Sequence, residues 1–179
     1  RKLALIPFSI LMILVILSLV HPGIPTAIYT GEELNAGDIA WMITATALVL
    51  FMTPGLAFFY GGMVRKKNVI STMAQSFISM AVITIIWVVV GFSLAFGDSI
   101  GGIIGNPSTF FMMGDGIGAK PWSLAPTIPL MLFAFFQLKF AIITPALITG
   151  AFAERIKFTS YILFIVLWSL IIYSPLAHM

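Results

Sequence analysis

Residues 133–140 read Phe-Ala-Phe-Phe-Gln-Leu-Lys-Phe, and they hold the side chains of this chain best suited to act on a small ion. Phe133, Phe136 and Phe140 recur at i, i+3 and i+7, so on a helix their rings share one face. A ring turned toward a water-poor path holds a small cation through its quadrupole, worth about 2 kcal/mol once the ion is desolvated. A ring turned the other way packs against a neighbour or against lipid, and the spacing leaves both readings open. Gln137 could add an amide oxygen. Lys139 is the only charge deep inside an apolar run, which makes it a functional candidate. It stands about 100° from Phe140 around a helix, so it is not expected to share the ring-lined face. A place in the bundle interior, at a subunit contact, or with its stem snorkelling toward an interface fits better. No apolar run carries paired carboxylates, a metal cluster or a nucleophile with its base, so neither an enzyme nor a cofactor or metal ion is expected.

The elements that must position these residues are membrane spans. Of the 179 residues, 60% are hydrophobic and 8% are charged, against about 25% charged in an ordinary soluble domain. The apolar stretches at 39–60, 70–96, 127–152 and 159–178 each reach the roughly 20 residues that cross a bilayer as a helix. The fold class expected is therefore all-α, a polytopic helical bundle in lipid. An earlier apolar run, Leu3 to Val20 behind Arg1 and Lys2, reads as a signal peptide or an N-terminal membrane anchor occupying residues 1–30. His21, Pro22, Gly23 and Pro25 end it, and a chain that starts at Arg1 is expected to be trimmed or partial. The net charge of +3 is spread over several short loops, which argues against a nucleic-acid partner.

Connections alternate in character. The loops at 61–68 and 153–158 are short and carry Arg65, Lys66, Lys67, Arg155 and Lys157, whereas 97–126 is long and rich in Gly and Pro. The positive-inside rule places both short loops in the cytoplasm. Glu32, Glu33, Asp38, Asp98 and Asp115 then fall outside, with Glu154 alone on the inner face. Within the spans, Pro54 and Pro145 each remove a backbone donor, and the hydroxyls of Thr53 and Thr144 are expected to re-satisfy the freed carbonyls. Gly55, Gly61, Gly62, Gly91 and Gly150 are expected to let helices approach closely.

Four segments carry a resemblance that single motifs could not: TALVLFMTPGLAFFYGGMVRKKNV at 46–69, SLAFG at 93–97, FQLKFAIITPALITGAFAERIKF at 136–158 and YSPLAHM at 173–179. In this order and spacing they resemble the Amt/Mep/Rh ammonium transporters, over about four fifths of the chain from near Asp38. The resemblance implies a plasma-membrane homotrimer of eleven-span subunits, each with one pore between two inverted halves, in which 31–179 form the first part of the transporter domain with its N-terminus outside. It implies that Phe140 is the outer gate and that Phe136, one turn above, flanks an external cation site, with Gln137 in the same motif. Lys139 departs from the small or Met residue of the family pattern. His178 resembles the AHM step near the end of the fourth span, not one of the family's paired pore histidines, which come later.

The loop residues Arg65, Lys66, Lys67, Asn68, Glu154 and Arg155 would, by the same resemblance, help form the surface on which trimeric P-II nitrogen regulators dock. Transfer of a bare ion into a low-dielectric pore costs tens of kcal/mol, far more than one ring contact returns. A neutral imidazole is the natural group to take up a proton near pH 7, so these residues without the later histidines are expected not to conduct. The alternative reading is an ammonium sensor or signalling membrane domain.

Overall fold

The computed structural model describes residues 5–20, 33–114, 117, 118 and 120–179. The expectations for Arg1, Lys2, the helix breakers at 21–25, Glu32 and Asp115 therefore lie outside the described residues. Among the described residues the helices are α1 (Ile6–Val20), α2 (Ala36–Met63), α3 (Val69–Ile86), α4 (Phe92–Phe96), α5 (Leu130–Phe152), α6 (Phe158–Trp168) and α7 (Ser174–His178). Two π-helical segments, Trp87–Gly91 and Ser169–Tyr173, join α3 to α4 and α6 to α7 without a break. Among the described residues four continuous helices are long and apolar enough to cross a membrane: Ala36–Met63, Lys66–Phe96, Leu130–Phe152 and Phe158–His178.

These are the four expected spans, with borders moved by local chemistry. The first begins earlier because Asn35 caps it, its side chain accepting from Gly37 N at 2.8 Å and Asp38 N at 3.2 Å. The Asp38 carboxylate sits in the first turn, at the positive end of the helix dipole. The third begins later than expected. Residues 127–129 belong to a strand, and Pro129 precedes Leu130 as the N-cap.

The long connection is not featureless. β1 (Ser99–Ile100) pairs antiparallel with β2 (Ile104–Gly105), and β3 (Pro121–Trp122) with β4 (Ala125–Pro129). Gly101 and Gly102 turn the first hairpin at φ 63° and 75°, a conformation that glycine adopts without steric penalty. Asn35 N donates to Thr127 O at 2.9 Å, so the start of α2 is tied to this loop layer.

The bundle centre is α3 packed against α2, α5 and α6, with α2 against α5. The close approaches expected at glycine are made at Gly61, where a Cβ would stand 3.0 Å from Met73 Cγ, and at Gly150, where it would stand 2.7 Å from the Tyr60 ring. Gly55 and Gly62 have nothing within 4 Å, and Gly91 faces Trp87 of its own segment. The helices run through Pro54 and Pro145, but the hydroxyl repair expected there is not made. Thr144 Oγ1 donates to Phe140 O at 2.6 Å, its own i−4 carbonyl, and not to that of Ala141, which Pro145 frees. A threonine on a helix reaches back four residues from itself. Thr53 Oγ1 is buried with no hydrogen-bond partner among the described residues.

Tyr60 fills the space beside Gly150 and donates its hydroxyl to Leu147 O at 2.8 Å, so it has little room to move. Gly150→Val is expected to lower the stability of the whole protein in detergent by about 1–3 kcal/mol through overpacking. Gly62→Ala should stay within about 0.5 kcal/mol in the same thermal unfolding measurement.

Candidate functional site

Helix α5 sorts its side chains by flank. Ala134, Leu138, Ala141, Pro145 and Thr149 recur every three or four residues and are all buried, forming the ridge that packs into the bundle. Phe136 and Phe140 are half-exposed and stand on the opposite flank, by the 100° rotation per residue. Their ring centroids are 5.1 Å apart at 73°. Edge-to-face contact of this kind orients the rings while leaving negative ring face available.

Phe133 leaves this stripe. Its ring lies 5.2 Å from Phe96 and 4.9 Å from Trp122, within a cluster that also holds Trp87, Phe92 and Phe110. The expected three-ring face is therefore a pair in contact with each other plus one half-buried ring that packs against the aromatic cluster under the loop layer. Gln137 is half-exposed beside the pair, and its amide makes no hydrogen bond among the described residues. Lys139 is also half-buried rather than enclosed in the bundle, with Nζ 6.0 Å from the centroid of Phe135. Phe135 itself is 40% exposed.

At the end of the bundle that carries the short basic loops, Glu154 joins the two loops. Its carboxylate accepts from Arg65 N at 2.9 Å, from Arg65 Nε at 3.0 Å and from Asn68 Nδ2 at 2.8 Å. Its backbone is left-handed at φ 63°, uncommon for a residue with a side chain. The hydrogen bond from Asn68, followed by those from Arg65, holds the carboxyl at about 2, below its usual 4.5. Lys66, Lys67 and Arg155 are exposed around this clasp. The residues expected to form a regulator surface thus lie together, at the opposite end of the spans from Glu33, Asp38 and Asp98.

His178 is at that other end. Its Nδ1 lies 3.1 Å from Ala95 O and its Nε2 2.9 Å from Ser99 Oγ. A carbonyl can only accept, so a neutral ring carries its proton on Nδ1 and accepts from the serine at Nε2. The imidazole staples the end of α7 to the end of α4 and borders a cleft of 360 Å³ shared with Phe96, Asp98 and Trp122. His21 lies outside the described residues.

Other positions were not singled out by sequence. Trp87 Nε1 donates to Ala134 O at 3.2 Å, locking α5 to the second span. Thr72, Gln75, Ser76 and Ser79 are all buried on α3. Their i, i+3, i+4, i+7 spacing inside an apolar run was the signal that could have exposed a packing face.

Residues 40–179 match the Ammonium Transporter Family. An ammonium transporter of Mycobacterium tuberculosis is 48% identical over 157 residues, covering 80% of this chain and 33% of that protein. The crystal structure of Mep2 from Saccharomyces cerevisiae superposes with a TM-score of 0.73 at 32% identity, covering 87% of this chain and 36% of that one. A structure described as a sensor Amt protein does so with a TM-score of 0.68 at 30% identity, covering 78% of this chain and 32% of that one. The chain spans about a third of the length of the relatives it matches.

The Glu154 carboxyl is depressed in the folded state, so its contribution to stability is fully present above 4.5 and is lost as pH falls toward about 2. The melting-temperature gap between the wild type and Glu154→Gln is expected to stay constant from about pH 5 to 8 and to close below that.

Proposed function

Because the chain belongs to the ammonium transporter family, we propose that the whole protein carries ammonium across the plasma membrane, with Phe136 and Phe140 as its entry aromatics. The observation that carries this reading is the ring pair on the uncovered flank of α5, inside the family-matched region. Two rings outside the bundle's own packing can face a path, and their quadrupoles favour a small cation over an anion or a neutral solute. Phe140 is assigned as the gate because it stands one turn further from the long-loop end than Phe136, in edge contact with it. Gln137 offers its amide oxygen beside them, and an N–H donor such as ammonium fits it.

Capture does not complete transport. The rings return a small part of an ion's hydration energy, so passage needs either a group that takes the proton or polar partners along the way. His178 is not that group, since both of its nitrogens are engaged with Ala95 and Ser99.

The orientation follows from charge. The exposed Arg and Lys around the Glu154 clasp belong in the cytoplasm by the positive-inside rule, which puts the long loop and His178 outside. The same cationic patch, held in place by Arg65, Asn68 and Glu154, is the surface offered to a P-II regulator, and the family assembly is a homotrimer. Similarity to a sensor Amt protein favours a second reading, ammonium sensing, and a signalling domain after the transporter segment would decide for it.

In the whole protein, Phe140→Ala and Phe136→Leu are expected to weaken apparent affinity in labelled methylammonium uptake by about 2- to 30-fold, the range of one ring contact. Unchanged uptake kinetics in both would overturn the entry-aromatic role. For orientation, single-cysteine variants in a cysteine-free background give the test. A membrane-impermeant thiol reagent should label Ser123→Cys on intact cells and Lys157→Cys only after permeabilisation.

A further inference from the structure

His178 has no task in that reading, yet it closes a junction between two spans. Helix α4 stops at Phe96, where Gly97 takes the backbone to φ −75° and ψ 177°. The last carbonyls of a helix have no donor within it. Ser99, whose N–H would meet Ala95 O in a continuing helix, is paired with Gly105 across the β1–β2 hairpin instead. The donor for Ala95 O comes from another span, since His178 Nδ1 lies 3.1 Å from it. His178 Nε2 lies 2.9 Å from Ser99 Oγ, and that oxygen accepts from Gly102 N at 3.2 Å in the hairpin turn. One half-buried ring thus caps the second span from the end of the fourth and fixes the first hairpin beside it.

The capped turn carries Phe96. Its ring stands 5.2 Å from Phe133 and 5.6 Å from Trp122. Phe133 lies on α5, one turn before Phe136. Helix α5 starts under the same loop layer, Leu130 N donating to Lys120 O at 2.9 Å. We infer that His178 is a positioning residue for the Phe136–Phe140 pair: by capping Ala95 O it holds Phe96 against Phe133 and so fixes the outer end of α5, on which the pair stands. The inference rests on the transport reading above. A ring holds a cation over its face only, so the pair binds well when the helix beneath it is already fixed. Without the cap the last turn of α4 loses a hydrogen bond, and close-packed rings pass that slack on to their neighbours. The hydrogen bond to Ala95 O carries the effect, and the one to Ser99 orients the imidazole.

The test uses the whole protein reconstituted in lipid vesicles, measuring KM and maximal rate of labelled methylammonium uptake per molecule. His178→Ala and the bulkier His178→Leu remove both hydrogen bonds; they are expected to raise KM about 2- to 10-fold, the equivalent of one neutral hydrogen bond, and to leave the maximal rate within about twofold. His178→Asn keeps an N–H donor at the place of Nδ1 and should restore KM to within about twofold of wild type. Coupling is read from double variants: in a Phe136→Leu or a Phe96→Leu background, His178→Leu should add less than about twofold to KM. An unchanged KM in the Ala and Leu variants, an Asn variant as impaired as they are, or a full KM rise in the Phe136→Leu background overturns the assignment. Phe96→Leu alone breaks the same relay one step further on; it should raise KM alike, and it decides the question if the Ala and Leu variants fail to fold. If the wild type carries no ammonium, or if Phe136→Leu and Phe140→Ala leave KM unchanged, it is the transport reading that fails. If those two shift KM while the His178 variants do not, the failure belongs to His178 alone.

Discussion

Hydrocarbon offers no hydrogen bond, so every polar group carried into it must find a partner within the protein. The spans are organised around that constraint. Thr44, Thr46, Thr84 and Thr144 each turn their hydroxyl back onto the carbonyl four residues earlier, which lets them lie in an apolar run without a neighbour. Other donors become ties between helices, while the Thr53 and Ser76 hydroxyls stay buried without a partner among the described residues. The Trp87 indole reaches Ala134 O, and the Tyr60 hydroxyl reaches Leu147 O. Thr149 and Tyr161, both fully buried, bond each other at 2.9 Å. The helix pairs that hold the candidate site are thus fastened by the few polar atoms that the bilayer would otherwise penalise.

Aromatic residues divide along the same lines. Those near the long loop interlock into one cluster with Phe96 at its hub, in ring contact with Trp87, Phe92, Trp122 and Phe133. That cluster closes the top of the bundle and supports α5. Phe136 and Phe140, lower on the same helix, are excluded from it and contact each other. The difference between a packing ring and an available one is therefore positional: it depends on how far the loop layer reaches down α5.

Much of this was legible beforehand, and the failures are specific. The spans were readable because an apolar run of about 20 residues has few alternatives, and the loop charges were readable because Arg65, Lys66, Lys67, Arg155 and Lys157 are concentrated in two short segments. The two hairpins were not, since strands of two to five residues containing Pro121, Pro126 and Pro129 carry no periodic signal. The fate of Phe133 was hidden for a related reason: its partners Phe96 and Trp122 are remote in sequence, and helical spacing describes one helix only. The Glu154 clasp needed a third dimension as well, because Arg65 and Glu154 are 89 positions apart.

The two π-helical segments face one another, with the Trp87 and Tyr173 rings 6.3 Å apart, and Ser174 Oγ, at the start of α7, donates back to Ser169 O at the start of the second segment. A π turn holds one more residue than the α-turn it replaces. Each segment therefore acts as a phase offset, setting the angular position of everything that follows it by about 100°. Removing a single residue from Trp87–Gly91 would leave an uninterrupted apolar helix of unchanged composition, yet swing Phe92 and Phe96 out of the aromatic hub and carry Ala95 away from His178. Residue count thus constrains these two stretches in addition to residue identity, which the Trp87 bond to Ala134 O already fixes at one position.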